Sequence, residues 1–141
     1  MTYTPSTALV ELLAQHATLR GMMEHCEELA EAIDRSGAPP TELTREVAKL
    51  RIAFEMHNKF EEQMLRPILL AQDAFGDVRI DKMVEEHIHE HGAIRGRLDG
   101  WVTGQLREVI SNLRSHLDAE ERCFLSSRIL RDDLVSIEHG G

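Results

Sequence analysis

The stretches HNKFEE at residues 57–62 and HLDAEE at residues 116–121 share one pattern: a histidine, three other residues and two glutamates. Each lies within an apolar series spaced by three and four residues, which is typical of one face of a packed helix. Residues four apart on such a face are about 6 Å apart along the helix axis and about 40° apart around it. The histidine and the first glutamate of each stretch can therefore direct their side chains to one point.

The same periodicity covers most of the chain and predicts four amphipathic helices. Thr4 followed by Pro5 favours a helix start, and the segment RSGAPP at residues 35–40 is a helix break. Strand-like alternation never persists beyond a few residues, so we predict an all-α protein. Four helices with short connections favour a single-domain, up-down-up-down four-helix bundle over residues 1–141. The predicted helices span about residues 5–34, 41–70, 78–98 and 105–130. The first is predicted to have one apolar side, which consists of Leu9, Leu12, Leu13, Leu19, Met23, Ala30 and Ile33.

Composition limits the classes of partner. The chain has 141 residues and a net charge of -9, and no basic stripe offsets that charge, so we expect no nucleic-acid partner. No apolar run approaches the roughly 20 residues of a membrane span, and no secretory signal is visible, so we expect a cytoplasmic protein without a membrane partner. The two cysteines form no Cys-x-x-Cys motif, which argues against a zinc ribbon.

Histidines and glutamates recur within the predicted apolar stripes, where a buried carboxylate requires a compensating charge. No lysine or arginine lies in the same stripes, so metal cations are the simplest compensation. Imidazole and carboxylate together suit iron, manganese or zinc, and the number of groups exceeds what one tetrahedral zinc ion uses. We therefore predict a site for two metal ions. The predicted ligands are His16, His57, Glu61, His87, His91, His116 and Glu120.

The order of these groups resembles the hemerythrin superfamily, the HHE cation-binding domains. The resemblance rests on His16, on the pairs His57-x-x-x-Glu61 and His87-x-x-x-His91, and on His116 followed by two glutamates. It extends over about residues 9–125, and the local contexts HNKFEEQMLRP and EHGAIRGRL are also similar to that family. The resemblance implies two non-haem iron ions, bridged by an oxo or hydroxo group, inside a four-helix bundle.

The resemblance also implies how the ligands divide between the two ions. His16 and His57 would hold one iron. The other iron would be held by His87, His91 and His116, and Glu61 and a carboxylate of the last helix would lie between the two ions. Hemerythrins proper have an aspartate five residues after the last histidine, where this chain has Glu121. Glu120 lies in the middle of the apolar stripe and Glu121 about 100° further round, so we favour Glu120 and keep Glu121 as the alternative.

The resemblance also implies one open position for O2, and our leading hypothesis is reversible binding of O2, or of a related small diatomic, for storage, transport or sensing. Apolar side chains that exclude water would favour binding over turnover. An oxidoreductase acting on peroxide or nitric oxide is one alternative, and an iron-sensing or iron-delivery module is another. Whether the protein is an enzyme therefore stays open. The predicted apolar wall consists of Leu12, Leu19, Leu50, Phe54, Ile94 and Leu113.

The remaining histidines and the two cysteines are predicted to lie outside the site. His25, His89 and His139 fall out of phase with the stripes or in the tail, and we predict that they are on the surface. Cys26 and Cys123 lie at opposite levels of antiparallel helices, about 25 Å apart if the site histidines share one level. At this separation we expect no internal disulfide.

Overall fold

A computed structural model describes residues 4–72, 85, 93–94, 103–123 and 125 of the chain. These residues contain three long helices, α1 at Pro5–Ser36, α2 at Thr41–Gln72 and α3 at Thr103–Cys123. They contain no strand, which confirms the predicted all-α class for this part of the chain. The helix starts predicted near Pro5 and Thr41 are confirmed, and α1 and α2 each extend two residues beyond the predicted end.

Both ends of α1 are fixed by local hydrogen bonds. The backbone N–H of Thr7 donates to Oγ1 of Thr4, the backbone N–H of Thr4 donates to Oγ1 of Thr7, and Pro5 occupies the first turn. At the other end, Gly37 has a φ of 67° and donates its N–H to the carbonyl of Ile33 over 2.8 Å. A left-handed residue of this kind ends the helix. The short link over residues 37–40 then returns the chain as α2, antiparallel to α1.

Ion pairs define the register of α1 against α3. Arg20 pairs with Asp118 on α3, and the pairs Glu27–Arg114 and Asp34–Arg107 follow towards the end of α1. Residue numbers therefore rise along α1 as they fall along α3, so these two helices are antiparallel. Each exposed pair contributes only about 0–1 kcal/mol, so apolar packing supplies most of the stability at this contact.

The core of the described residues consists of two apolar clusters. The larger cluster has Leu19, Met23, Cys26, Ala30, Leu43, Val47, Leu50, Phe54, Ile94, Leu106, Val109, Ile110, Leu113 and Leu117. The smaller cluster has Ala8, Leu12, Met64, Leu65, Ile68 and Leu125. On α1 and α2, the buried polar residues come between the part in the larger cluster and the part in the smaller one. On α3, His116 and Glu120 flank Leu117, the last member of the larger cluster, and Leu125 of the smaller cluster follows the helix. A polar layer therefore divides the core.

The prediction that Leu13 of α1 faces inward was wrong. The sequence pattern placed Leu13 on the inward face with Leu12 and Leu19, but 37% of Leu13 is exposed while its two companions are buried. Leu13 is about 100° around the helix from Leu12, which takes it away from both apolar clusters. The predicted surface position of His25 is confirmed, because this side chain is exposed.

The predicted fourth helix cannot be compared along its length. Most of residues 78–98 lie outside the described residues, although Glu85, Ala93 and Ile94 are helical and Ile94 is buried in the larger cluster. The described part of the last helix ends at Cys123, and Leu125 lies in a bend, whereas the prediction extended the helix to residue 130. Residues 126–130, His89 and His139 lie outside the described residues. The four-helix bundle stays a prediction.

Two further observations concern the described part of the chain. Cys26 is a free thiol, fully buried in the larger cluster, and burial raises its pKa to about 11. The side chain of Cys123 lies outside the described residues. None of the described helices contains the long apolar stretch that crossing a membrane requires.

We expect the substitution Leu50→Ala to lower the free energy of unfolding by about 2–5 kcal/mol, because Leu50 is fully buried and its truncation leaves a cavity. The matched substitution Ile52→Ala, on the same helix but half exposed, should change the free energy of unfolding by less than about 0.5 kcal/mol. Urea unfolding followed by circular dichroism measures both. Equal losses for the two variants would contradict the assignment of the core.

Candidate metal centre

The polar layer between the two apolar clusters consists of side chains from all three helices. α1 contributes His16, α2 contributes His57 and Glu61, and α3 contributes His116 and Glu120. Each of these side chains is at most 5% exposed. In both α2 and α3 the histidine and the glutamate are four residues apart, so they share a helix face. The structure thus brings five of the seven predicted ligands to one level, while His87 and His91 lie outside the described residues.

Four ligand atoms converge within the polar layer. Nε2 of His16 lies 3.2 Å from Nε2 of His57, and Nε2 of His57 lies 3.1 Å from Oε2 of Glu61. Oε2 of Glu120 lies 3.7 Å from both histidine nitrogens. All four atoms lie within 4.8 Å of one another, which makes them a group that could hold a metal ion.

The hydrogen-bond partners of the Nδ1 atoms of His16 and His57 determine which nitrogen of each imidazole carries hydrogen. Nδ1 of His16 donates to Oε2 of Glu121 over 2.9 Å, and Nδ1 of His57 donates to Oε1 of Gln15 over 2.8 Å. Because carboxylate and amide oxygens are acceptors, both Nδ1 atoms carry hydrogen. In a neutral imidazole, the Nε2 atom then presents a lone pair. When both imidazoles are neutral, two lone pairs therefore face each other across 3.2 Å, beside two carboxylates.

This arrangement fits a cation. Nitrogen and oxygen ligands about 2.0–2.2 Å from one tetrahedral ion are about 3.3–3.6 Å from one another, close to the separations of 3.1–4.0 Å measured between these atoms. Two imidazoles and two carboxylates are donors that iron, manganese and zinc accept. Without a positive charge among them, the buried carboxylates would carry a penalty of several kcal/mol each.

The pKa shifts of two side chains in the polar layer also reflect the need for a positive charge there. Burial opposes protonation of His57, but the adjacent Glu120 and Glu61 outweigh burial and raise the pKa of His57 to about 9. Burial also opposes ionisation of Glu120. Hydrogen bonding with Glu61, His116, His16 and His57 nevertheless holds the pKa of Glu120 well below its ordinary value. In the metal-free protein, a proton on His57 thus supplies charge that a metal ion would otherwise supply.

Glu120 and Glu121 occupy different environments. Glu120 is inside the polar layer, and its second oxygen, Oε1, lies 2.6 Å from Nε2 of His116. Its two oxygens therefore contact different histidines. Glu121 is 30% exposed and accepts hydrogen bonds from His16 and from Arg20. Of the two carboxylates, the structure places Glu120 among the converging ligand atoms and Glu121 behind one of the histidines.

Sequence reasoning did not identify Gln15 and Arg20 as residues near the site, and it named Glu121 only as an alternative metal ligand. Gln15, Arg20 and Glu121 contact the site from outside the apolar stripes, where polar residues are ordinary on any surface helix. Their positions offered only a weak signal. Gln15 precedes His16, Arg20 follows His16 by one helical turn, and Glu121 follows Glu120.

A surface pocket of about 400 Å³, open to solvent and largely apolar, lies between α1 and α2 beside the polar layer, and we call it the cavity. Leu19, Ala53 and Phe60 line it, and His57 and Gln15 form part of its wall. Ala14, on α1, also borders it. The cavity therefore reaches one of the predicted ligands from the α1–α2 side.

Comparison with known proteins identifies the family. The family model described as the hemerythrin HHE cation binding domain matches residues 7–126, most of the chain. The chain therefore belongs to the hemerythrin HHE family, which confirms the resemblance found in the sequence. Comparisons with curated proteins and with solved structures gave no significant match.

We expect the binding of Zn²⁺ to release a proton from His57 below about pH 9, the pKa of this side chain in the folded protein. Apparent affinity should rise about tenfold per pH unit between about pH 7 and pH 9, because one proton is displaced. Isothermal titration in buffers of different ionisation enthalpy measures both quantities.

The same pKa has a consequence for the metal-free protein. Because the pKa of His57 is raised above the ordinary value of 6.5, protonated His57 stabilises the folded chain fully below pH 6.5, and this contribution is lost as the pH rises through about 9.

The control for the Zn²⁺ experiment is His25→Ala, which removes an exposed histidine and should leave the proton release on Zn²⁺ binding unchanged. A pH-independent affinity without proton release would contradict the prediction.

Proposed function

We propose that this member of the hemerythrin HHE family is a non-haem di-iron protein that binds O2, or a related small diatomic, reversibly. The observation that carries the proposal is the convergence of His16, His57, Glu61 and Glu120 within the buried layer. These donors would hold one ion. A cation there would balance the two carboxylates and the facing lone pairs of the imidazoles.

The position of Glu120 supports a second ion. One oxygen of Glu120 faces the nitrogens of His16 and His57, and the other contacts His116. A carboxylate with its two oxygens directed to separate histidines is suited to bridging two cations. We propose that His116, together with His87 and His91, would hold the second ion.

Iron is the metal that gives this donor set a function with O2. Nitrogen and oxygen donors accept several transition metals, but zinc has no redox chemistry and could not exchange electrons with a ligand. A bound iron pair supplies two exchangeable electrons and an open position for a small ligand. Cys26 does not compete as a donor, because it lies in the larger apolar cluster as a protonated thiol.

The surroundings of the polar layer favour binding over turnover. All six residues of the predicted apolar wall are at most 5% exposed, which supports a dry environment near the site. Apolar side chains keep water from the site and so limit the delivery of protons. The residues concerned are Leu12, Leu19, Leu50, Phe54, Ile94 and Leu113.

The apolar cavity between α1 and α2 offers a route for a small uncharged ligand. O2 is apolar, and the cavity ends at the wall that contains His57 and Gln15. We propose that small diatomic ligands enter by this cavity.

One observation favours the alternative of an oxidoreductase acting on peroxide or nitric oxide. Glu121 contacts His16 at the site and is itself 30% exposed, so a polar group links the buried layer to solvent. A carboxylate in such a position could transfer protons to a reacting ligand. Turnover of peroxide would then exceed reversible binding.

We expect the protein reconstituted anaerobically with ferrous iron to bind two ions per chain. Exposure to air should give a long-lived coloured adduct that disappears on deoxygenation. His57→Ala should lose iron and the adduct, whereas His25→Ala, an exposed histidine on α1, should keep both. Metal analysis and absorption spectroscopy measure these outcomes.

The contrary outcomes separate the alternatives. One ion per chain would refute the di-iron centre, and rapid catalytic loss of added peroxide without a reversible adduct would favour the oxidoreductase. A large loss of helicity on chelation, without any adduct, would favour the iron-sensing or iron-delivery module.

We expect Ala14→Trp, which fills the cavity from α1, to slow O2 association about tenfold, equivalent to a barrier increase of about 1.4 kcal/mol. The control Val10→Trp adds the same ring one turn earlier, at an exposed position outside the cavity lining, and should leave the rate unchanged. Stopped-flow mixing with O2 measures the rates. Equal rates for both variants would exclude this cavity as the route.

A further inference from the structure

Glu121 contacts the buried histidine of α1 without entering the group of converging ligand atoms. Its Oε2 accepts a hydrogen bond of 2.9 Å from Nδ1 of His16, whose side chain is fully buried. We propose that Glu121 is a positioning residue, which fixes the tautomer and orientation of His16 and makes His16 a stronger metal ligand than His57. The inference rests on the proposed metal site.

The two histidines have outward partners of different charge. Nδ1 of His57 donates to the neutral amide oxygen of Gln15 over 2.8 Å, whereas Nδ1 of His16 donates to a carboxylate. A carboxylate partner draws the Nδ1 proton more strongly and leaves more electron density on the Nε2 atom that faces the metal. The donor–acceptor distances of the two contacts are similar, whereas the formal charges of the two acceptors differ.

Arg20 holds Glu121 in this position. Its Nη2 atom donates to Oε2 of Glu121 over 2.5 Å and to Oδ1 of Asp118 over 2.7 Å. Arg20 lies one helical turn after His16 on α1, and Asp118 and Glu121 are neighbours on α3. A glutamate that is partly exposed would otherwise sample several rotamers, each with a different distance to His16. The contact with Arg20 therefore keeps the carboxylate opposite the imidazole.

A second ion pair between α1 and α3 is a control that distinguishes a positioning role of Glu121 from that of an ordinary surface ion pair. Glu27 pairs with Arg114 across α1 and α3, and its side chain is 31% exposed, compared with 30% for Glu121. Glu27 lies eleven residues after His16, about three helical turns away. If Glu121 acted only as an exposed ion pair, neutralising either glutamate would have the same small effect.

The test compares Glu121→Gln with Glu27→Gln in the full-length chain. Co²⁺ affinity is measured by absorption during competition with a chelator, and the ¹⁵N shifts of the His16 imidazole are recorded in the metal-free protein. We expect Glu121→Gln to weaken Co²⁺ binding about 10- to 100-fold, the usual effect of losing an outer partner of a metal-bound histidine. Glu27→Gln should leave the affinity within about twofold of the original, because an exposed pair is worth little.

The imidazole shifts provide a readout that does not depend on metal. The original protein should have hydrogen on Nδ1 of His16, and Glu121→Gln should keep that tautomer, since its amide oxygen can still accept. Glu121→Asp keeps the charge but shortens the side chain, so it should lose both the tautomer and the affinity. This variant also keeps the test decisive if Glu121→Gln does not fold.

Each contrary result has one meaning. Equal Co²⁺ affinities for Glu121→Gln and Glu27→Gln, or hydrogen on Nε2 of His16 in the original protein, would overturn the positioning role while leaving the metal site intact. Failure of the original protein to bind Co²⁺ would instead overturn the metal site itself.

Discussion

The structure depends on burying imidazoles and carboxylates in the middle of an apolar core. A layer of five polar side chains separates the two apolar clusters. Each side chain of the layer is at most 5% exposed, and its members are His16, His57, Glu61, His116 and Glu120. Such groups are retained inside a protein only when hydrogen bonds or opposite charge compensate the lost hydration. Outward hydrogen bonds satisfy the Nδ1 atoms of His16 and His57, and a cation would satisfy the inward atoms. The register of the three helices brings these side chains to one level.

This layer also links the proposed chemistry to the stability of the fold. A metal ion bound among α1, α2 and α3 would join the three helices at the level where apolar packing is interrupted. Binding to the folded state alone adds to stability in proportion to the logarithm of ligand concentration. In the metal-free chain the proton on His57 contributes part of that compensation, and it does so only below the raised pKa of about 9.

The surroundings of the layer differ on its two sides. Towards α2, an apolar cavity approaches His57 and Gln15, which suits an uncharged ligand. Towards α3, Glu121, Arg20 and Asp118 form a polar chain from His16 to the surface. An apolar approach favours reversible binding of a gas, and a polar connection favours proton transfer. The balance between these two sides distinguishes an O2-binding protein from an oxidoreductase.

The sequence by itself determined the helical class, the starts of α1 and α2, and the choice of candidate ligands, because apolar spacing and the four-residue separation of histidine and glutamate are local properties of one helix. The error at Leu13 has the same origin, since periodicity gives an apolar arc without showing which edge of that arc meets a neighbour. Helical phase already favoured Glu120 over Glu121 as the inward carboxylate, but only the tertiary structure decided that Glu121 lies behind His16 and that Gln15 and Arg20 make the outer contacts. Those outcomes depend on the rotation and register of α1 against α2 and α3, which arise from packing between distant segments and are not encoded in the spacing of any single helix.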